Sequence, residues 1–403
     1  MYSRSNNGAR SHRWTATLVM AHALLWSCAA QAEKLPHNLQ IHGFASQSWL
    51  MSSDNNVFGK SSSGSGSFDF RELGLNASMR PLPRLQFSAQ MLSRWAGEGS
   101  EGNIRLDYGF IDYNAFSGET SQFGIRLGRM KNPLGFYNDT RDVPFTRPSI
   151  LLPQSIYFDR TRKLALAADG VQLYGERRSD IGDISFQAGV ARPLVRGDEA
   201  EAAVFSQLVQ GHLVPEISYI GRVNYELDGG RIRLAASATQ LNMSYSPGGG
   251  SIHFVPVIFS AQYNAERWSL TSEYAIRNLQ YKNFGAMPDI DISGESYYFQ
   301  GVYRLTPEWE AIARYDVLYT DSNDRQGRKW AALGTAGDGR QAHNRFAKDI
   351  TAGLRWNITP EFMLRAEYHH VNGTGWLSTL DNPNPADMSQ RWHLFSILGS
   401  FRF

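Results

Sequence analysis

The chain has 403 residues, with 40 Lys and Arg against 38 Asp and Glu, 12% aromatic residues and 37 glycines. Charge this close to balance excludes a globally basic nucleic-acid-binding protein, and a single cysteine, Cys28, excludes a disulfide framework and thiolate metal sites. A mean hydropathy of −0.38, with no apolar run of spanning length after residue 32, excludes a bundle of membrane helices.

The chain opens on a segment that should not belong to the fold. Residues 1–13 carry Arg4, Arg10 and Arg13 and no acid, residues 14–26 are largely apolar, and Ala30-Gln31-Ala32 follows. A basic start, a short apolar core and a small-x-small site predict a secretory signal peptide over 1–32, cleaved after Ala32. Cys28 after Leu25-Trp26-Ser27 gives a lipoprotein alternative, to which Trp26 is poorly suited. Without residues 1–32 the balance is 37 basic against 38 acidic residues.

From there the pattern has period two. In 84–95, Leu85, Phe87, Ala89 and Met91 alternate with Arg84, Gln86, Ser88, Gln90 and Arg94; in 362–370, Phe362, Leu364, Ala366 and Tyr368 alternate with Arg365, Glu367 and His369. Side chains of a strand point to opposite faces in turn, so each segment predicts a strand with one apolar and one polar face. About sixteen such strands are expected, over 39–51, 67–80, 84–95, 104–115, 121–130, 168–177, 182–192, 217–227, 231–243, 253–265, 267–278, 295–305, 308–319, 348–358, 361–371 and 391–403. Each has about the ten residues that a tilted strand needs to cross a bilayer.

The connections alternate in length. Pro81-Leu82-Pro83, Asp228-Gly229-Gly230, Ala265-Glu266, Thr306-Pro307 and Thr359-Pro360 are tight turns, while 52–66, 96–103, 131–167, 193–216, 244–252, 279–294, 320–347 and 372–390 are longer. Tight turns at one end and long loops at the other predict an all-β fold: a transmembrane, antiparallel, up-and-down β-barrel over 33–403, with short periplasmic turns and long external loops. In lipid every backbone group needs a partner within the protein, so the sheet must close. The charged faces then line a hydrated lumen. Arg94, Arg105, Arg126, Arg222, Arg233, Arg314, Arg355 and Arg365 are expected there, opposed by Asp107, Glu226, Glu273, Glu310, Asp316 and Glu367. Strand 104–113 is expected to place Arg105 and Asp107 inward and Ile104, Leu106 and Tyr108 outward.

The chain ends Gly399-Ser400-Phe401-Arg402-Phe403. This resembles the terminal signal of bacterial outer-membrane barrels, which implies that Gly399, Phe401 and Phe403 are read by the barrel assembly machinery. Residues 123–141, FGIRLGRMKNPLGFYNDTR, resemble the phosphate-selective porin O/P-like group, in which Arg-x-Gly-x-x-Lys leads into a Pro-x-Gly turn and a long loop. That resemblance implies a Gram-negative outer-membrane porin, a sixteen-stranded and usually homotrimeric channel whose partners are outer-membrane lipid and small solutes or anions. The anion-binding arginine ladder of the phosphate-selective members has no residue-by-residue counterpart here.

The resemblance also implies that the loop after the fifth strand folds inward. This loop, 131–167, holds Lys131, Arg141, Arg147, Arg160, Arg162 and Lys163 against Asp139, Asp142 and Asp159, and Pro133, Pro144, Pro148 and Pro153 stiffen it. It is the candidate pore constriction, and its positive surplus points to a modest anion preference. The competing reading is that these charges pair across the lumen and only keep it wet.

No cofactor, metal or nucleic acid is expected. Gly97-Glu98-Gly99-Ser100-Glu101-Gly102 matches a dinucleotide fingerprint but precedes a strand rather than a helix. Asp289-x-Asp291-x-Ser293-Gly294 begins like a calcium loop but has Gln300 where the bidentate Glu belongs. His369 and His370 point to opposite faces. The chain is not expected to be an enzyme; the alternatives are a barrel lipase or protease, for which His393 with Ser396 is a candidate pair, and a plugged adhesion barrel.

Overall fold

A computed structural model describes residues 38–195, 197–205, 211–285, 288–334 and 339–403. The predicted signal peptide lies outside the described residues.

The strands run in chain order as β1 (Leu39–Ser52), β2 (Ser67–Leu82), β3 (Leu85–Ala96), β4 (Glu101–Ser117), β5 (Ser121–Lys131), β6 (Ala167–Arg177), β7 (Asp183–Pro193), β8 (His212–Pro215), β9 (Ser218–Leu227), β10 (Ile232–Ser246), β11 (Ser251–Asn264), β12 (Trp268–Lys282), β13 (Ile290–Arg304), β14 (Trp309–Tyr319), β15 (Phe346–Asn357), β16 (Phe362–Gly373) and β17 (Arg391–Arg402). Both β8 and β9 pair antiparallel with β10, one above the other. They form one stave interrupted at Glu216 and Ile217, just after Pro215, which has no N–H to give the ladder. The described strands therefore make sixteen staves. The sheet closes where β17 pairs with β1, and the closure ends on reciprocal backbone bonds between Gly43 and Phe403, at 3.2 and 3.0 Å.

The two faces are inverted relative to a soluble protein. Leu73, Leu75, Leu127, Val223, Phe259 and Phe299 are each more than half exposed, while Glu72, Glu273 and Ser296 are sealed. Apolar surface faces outward and charge faces inward, which is the arrangement a bilayer demands and a soluble sandwich forbids. Near the short turns Trp309 stacks on Trp356 at 5.2 Å, and Trp268 lies 5.2 Å from Tyr263, an aromatic belt at the membrane boundary.

The structure departs from expectation in three places. Hairpins β3–β4, β10–β11 and β12–β13 continue past the predicted strand ends, so the loops expected at 96–103, 244–252 and 279–294 are shorter; the ladder continues wherever both backbones still find partners. On β4 a bulge shifts the register between Gln90↔Tyr108 and Met91↔Leu106, leaving Asp107 as the extra residue. The phase then flips, and Tyr108, expected on the lipid face, sits opposite the inward Gln90. Finally, the lumen is not lined by polar groups alone. Leu50, Leu318, Trp392, Leu394 and Leu398 point inward and are buried with Phe58, Phe145, Ile150, Leu151, Trp376 and Leu377 of the long loops. Burying one such side chain contributes about 1.5–3 kcal/mol, enough to hold loops over the barrel mouth.

Candidate pore constriction

The segment between β5 and β6 has four prolines and no alternation, and it forms only a 3-10 turn (Pro144–Thr146) and a short helix (Arg162–Leu166). Its backbone groups must find partners elsewhere, and the barrel wall supplies them. The N–H of Phe136 donates to Glu273 of β12 at 2.9 Å, those of Ile150 and Leu151 donate to Glu367 of β16, and that of Ser155 donates to Asp316 of β14 at 3.3 Å. In return Arg314 donates to the Leu151 carbonyl at 3.0 Å, Arg365 to that of Ser149 at 3.1 Å, and Arg222 to that of Gly135 at 3.0 Å. The loop thus leaves β5, spans the lumen to the opposite wall and returns to β6.

A second set of contacts ties the loop to the near wall. Glu72 of β2 meets Arg94 at 3.2 Å, Arg147 at 2.8 Å and Arg162 at 3.6 Å. Asp159 meets Arg94 at 2.8 Å and Arg141 at 3.4 Å. Lys131 meets Asp107 at 2.6 Å and also pairs with Asp142, which pairs with Arg162. Five cations (Arg94, Lys131, Arg141, Arg147 and Arg162) therefore share four acids (Glu72, Asp107, Asp142 and Asp159). Burial pushes the Arg162 guanidinium well below its usual range, and the neighbouring Arg94 and Arg141 push it further. Burial likewise raises Tyr137 to about 12 and Tyr157 well above the ordinary phenol.

The remaining predicted residues fall as follows. Asp139 pairs with Arg222 at 2.7 Å. Arg126 pairs with Asp112 at 2.9 Å, Arg233 with Glu226 at 2.8 Å and Arg355 with Glu310 at 3.6 Å. Arg105 is near enough to repel Arg162. Arg160 makes no ion pair among the described residues and lies over the Phe158 ring, 5.9 Å from its centroid. Lys163 reaches toward Gly197. Phe401 and Phe403 face outward, and Gly399 stands opposite Leu364.

Sequence reasoning missed Glu72, Tyr157, Tyr298 and Asp349. The inward position of Glu72 follows from β2 alternation, but its three arginines come from β3 and the loop, and no local pattern names them. Among the residues set aside, His369 is buried against Asp349 at 2.8 Å and Glu367 at 3.5 Å, while His370 meets His393 on the outer face at 3.3 Å. His393 is exposed and Ser396 buried on alternate faces of β17, so they do not form a catalytic pair. Residues 97–100 are a turn leading into β4, with no helix to cradle a phosphate.

Residues 228–388 match the family described as phosphate-selective porin O and P. The barrel resembles outer-membrane porins. Its fold is also that of solved channels. The outer-membrane channel DcaP of Acinetobacter baumannii is 11% identical with a TM-score of 0.59, covering 91% of this chain and 97% of that one. An anion-selective porin from Comamonas acidovorans is 13% identical with a TM-score of 0.54, covering 91% and 99%. OmpT of Vibrio cholerae, in a trimer form, is 11% identical with a TM-score of 0.53, covering 91% and 99%. No match was found among the curated proteins.

Proposed function

We propose that this barrel is an outer-membrane porin that passes small hydrophilic solutes by passive diffusion, without catalysis, through a passage narrowed by the loop 131–167, and that it favours anions modestly. The observation that carries the preference is the cluster in which five cations, four of them buried, share four acids beside the loop. In a confined, partly dehydrated passage a single surplus charge biases the local potential, because screening by salt is weak there. Most of the other lumen charges are paired, which keeps the bias small. The reversal potential of purified protein in a planar bilayer under a KCl gradient tests this. The expected sign is that of chloride preference; cation preference overturns it.

We further propose a homotrimer, the assembly in which the similar barrel OmpT has been described. Mass determination in detergent, against the mass of one chain, tests that assembly. The signal at 1–32 and the reading of Gly399, Phe401 and Phe403 by the barrel assembly machinery complete the proposal.

A further inference from the structure

Between the loop and one side of the wall lies a space of a different character from the charged cluster. Counted with its open mouth, it has an empty volume of about 1290 Å³. Its wall is formed by the inward side chains of β10–β13, among them Leu241, Met243, Ile252, Phe254, Ile258 and Leu279. Apolar groups on the inside of a water-filled barrel serve no need of the bilayer. The sequence of β11 shows that they are systematic, since 252–259 reads IHFVPVIF, with both faces largely apolar.

Two cations face the same space, Arg160 from the loop and Arg277 from β12, with no ion-pair contact among the described residues; Asp316 acts on Arg277 only from a distance. Arg160 is in no ion pair among the described residues, and its Nε is sealed from solvent with no hydrogen-bond partner among them. Arg277 of β12 donates from Nη2 to the carbonyl of Tyr319 at 2.9 Å, but its Nε is likewise sealed and unpartnered. The two guanidiniums share the Phe158 ring, at 5.9 and 4.9 Å from its centroid. Burial pushes Arg160 below its usual range, with Arg345 adding repulsion and the Tyr281 phenol opposing it. Both side chains are half-buried, and a half-buried guanidinium with no acid in contact carries a desolvation cost that an incoming anion would relieve.

We propose that this space is a binding site for organic monoanions with an apolar body, held by Arg160 and Arg277 at the charged end and by the β10–β13 wall along the body. The inference rests on the reading of the protein as a conducting channel, and it adds a class of solute that the charged cluster alone would not select. Charge and apolar surface are both required. A small hydrophilic anion gains nothing from the wall, and a neutral apolar molecule leaves the guanidiniums unpaired.

The test is current block in planar bilayers. With 2-naphthoate added to KCl, brief interruptions of the single-channel current are expected. Acetate and 2-naphthylmethanol, which each lack one half of the required chemistry, should block at least about tenfold less well. Arg160→Gln removes the charge and Leu279→Trp fills the space from the wall; each should weaken the naphthoate block by at least about tenfold. Naphthoate that never blocks a conducting channel overturns the proposal, as does block of both variants as strong as that of the unaltered protein. A protein that conducts no KCl at all contradicts instead the channel reading beneath it.

Discussion

The phenol of Tyr157, on the loop, donates to the carboxylate of Glu273, on the opposite wall, at 2.5 Å in the buried middle of the barrel. Ser260 and Tyr298 donate to the same carboxylate at 2.5 and 2.9 Å, and the Phe136 N–H at 2.9 Å. The Tyr157 oxygen in turn accepts the N–H of Tyr137 at 3.0 Å. One acid thus fixes both limbs of the loop. A hydrogen bond to a charged group is worth about 1.5–3 kcal/mol. Tyr157→Phe should therefore leave the barrel folded while loosening the loop. The expected readouts are faster amide exchange at Phe136 and Tyr137 and larger fluctuations in the open-channel current.

Glu72 has a different weight, because it is the shared partner of Arg94, Arg147 and Arg162. Glu72→Ala leaves those buried arginines under-paired, and breaking a buried ion pair in this way costs about 3–5 kcal/mol. The temperature at which the folded band disappears on a detergent gel should fall clearly, and more than for Tyr157→Phe. An unchanged temperature would show that the arginines find other partners.

These two sites show what could be read from the sequence. The staves were legible because alternation is local: each strand's inward set, including Arg94, Arg222 and Glu367, follows from its neighbours alone. Where a local rule broke, as at the Asp107 bulge, the faces after it were misread, since nothing in the sequence marks an extra residue in a ladder. The inward turn of the loop was suggested only by resemblance. Its anchors could not be read, because Glu367 serves the backbone of Ile150 from 217 residues away and Glu72 serves Arg147 from 75. The apolar patch on β11 is not singled out by alternation, since both faces of 252–259 are largely apolar.

His343 provides a pH dependence among the external loops. Its Nδ1 lies 3.1 Å from the Thr374 hydroxyl, and its carbonyl accepts the Thr374 N–H at 2.9 Å. Burial holds its pKa below the ordinary value. The folded state therefore binds fewer protons than the undocked loop. The stabilisation is present above the unfolded value of about 6.5 and is lost as pH falls through the lower folded value. Amide exchange at Thr374, corrected for its intrinsic rate, should accelerate as pH falls below the ordinary imidazole value, and His343→Asn should remove that dependence.

At the seam, Phe403 pairs with Gly43, and any side chain at position 43 would begin 2.6 Å from the Phe403 ring. Gly43→Val should therefore displace the last residue from the closing strand. Deleting Phe403 should have a related effect with no clash. Both variants should lower the yield of folded barrel in the outer membrane, measured by protease resistance of isolated membranes. Normal yield from the deletion would remove Phe403 from the assembly signal.

The central claim is that the loop between β5 and β6 stands in the path of conduction. Thr146 is exposed at its tip, next to Phe145, which lies under Arg402 at 4.4 Å from the ring centroid. Since Cys28 is the sole cysteine and falls in the predicted signal peptide, Thr146→Cys would give a single thiol inside the barrel. The deciding measurement is single-channel conductance before and after that thiol reacts with a charged, water-soluble methanethiosulfonate. A fall of about half or more is predicted, since added bulk and charge at a constriction act directly on the current. Complete modification, verified by mass, with unchanged current would contradict the account.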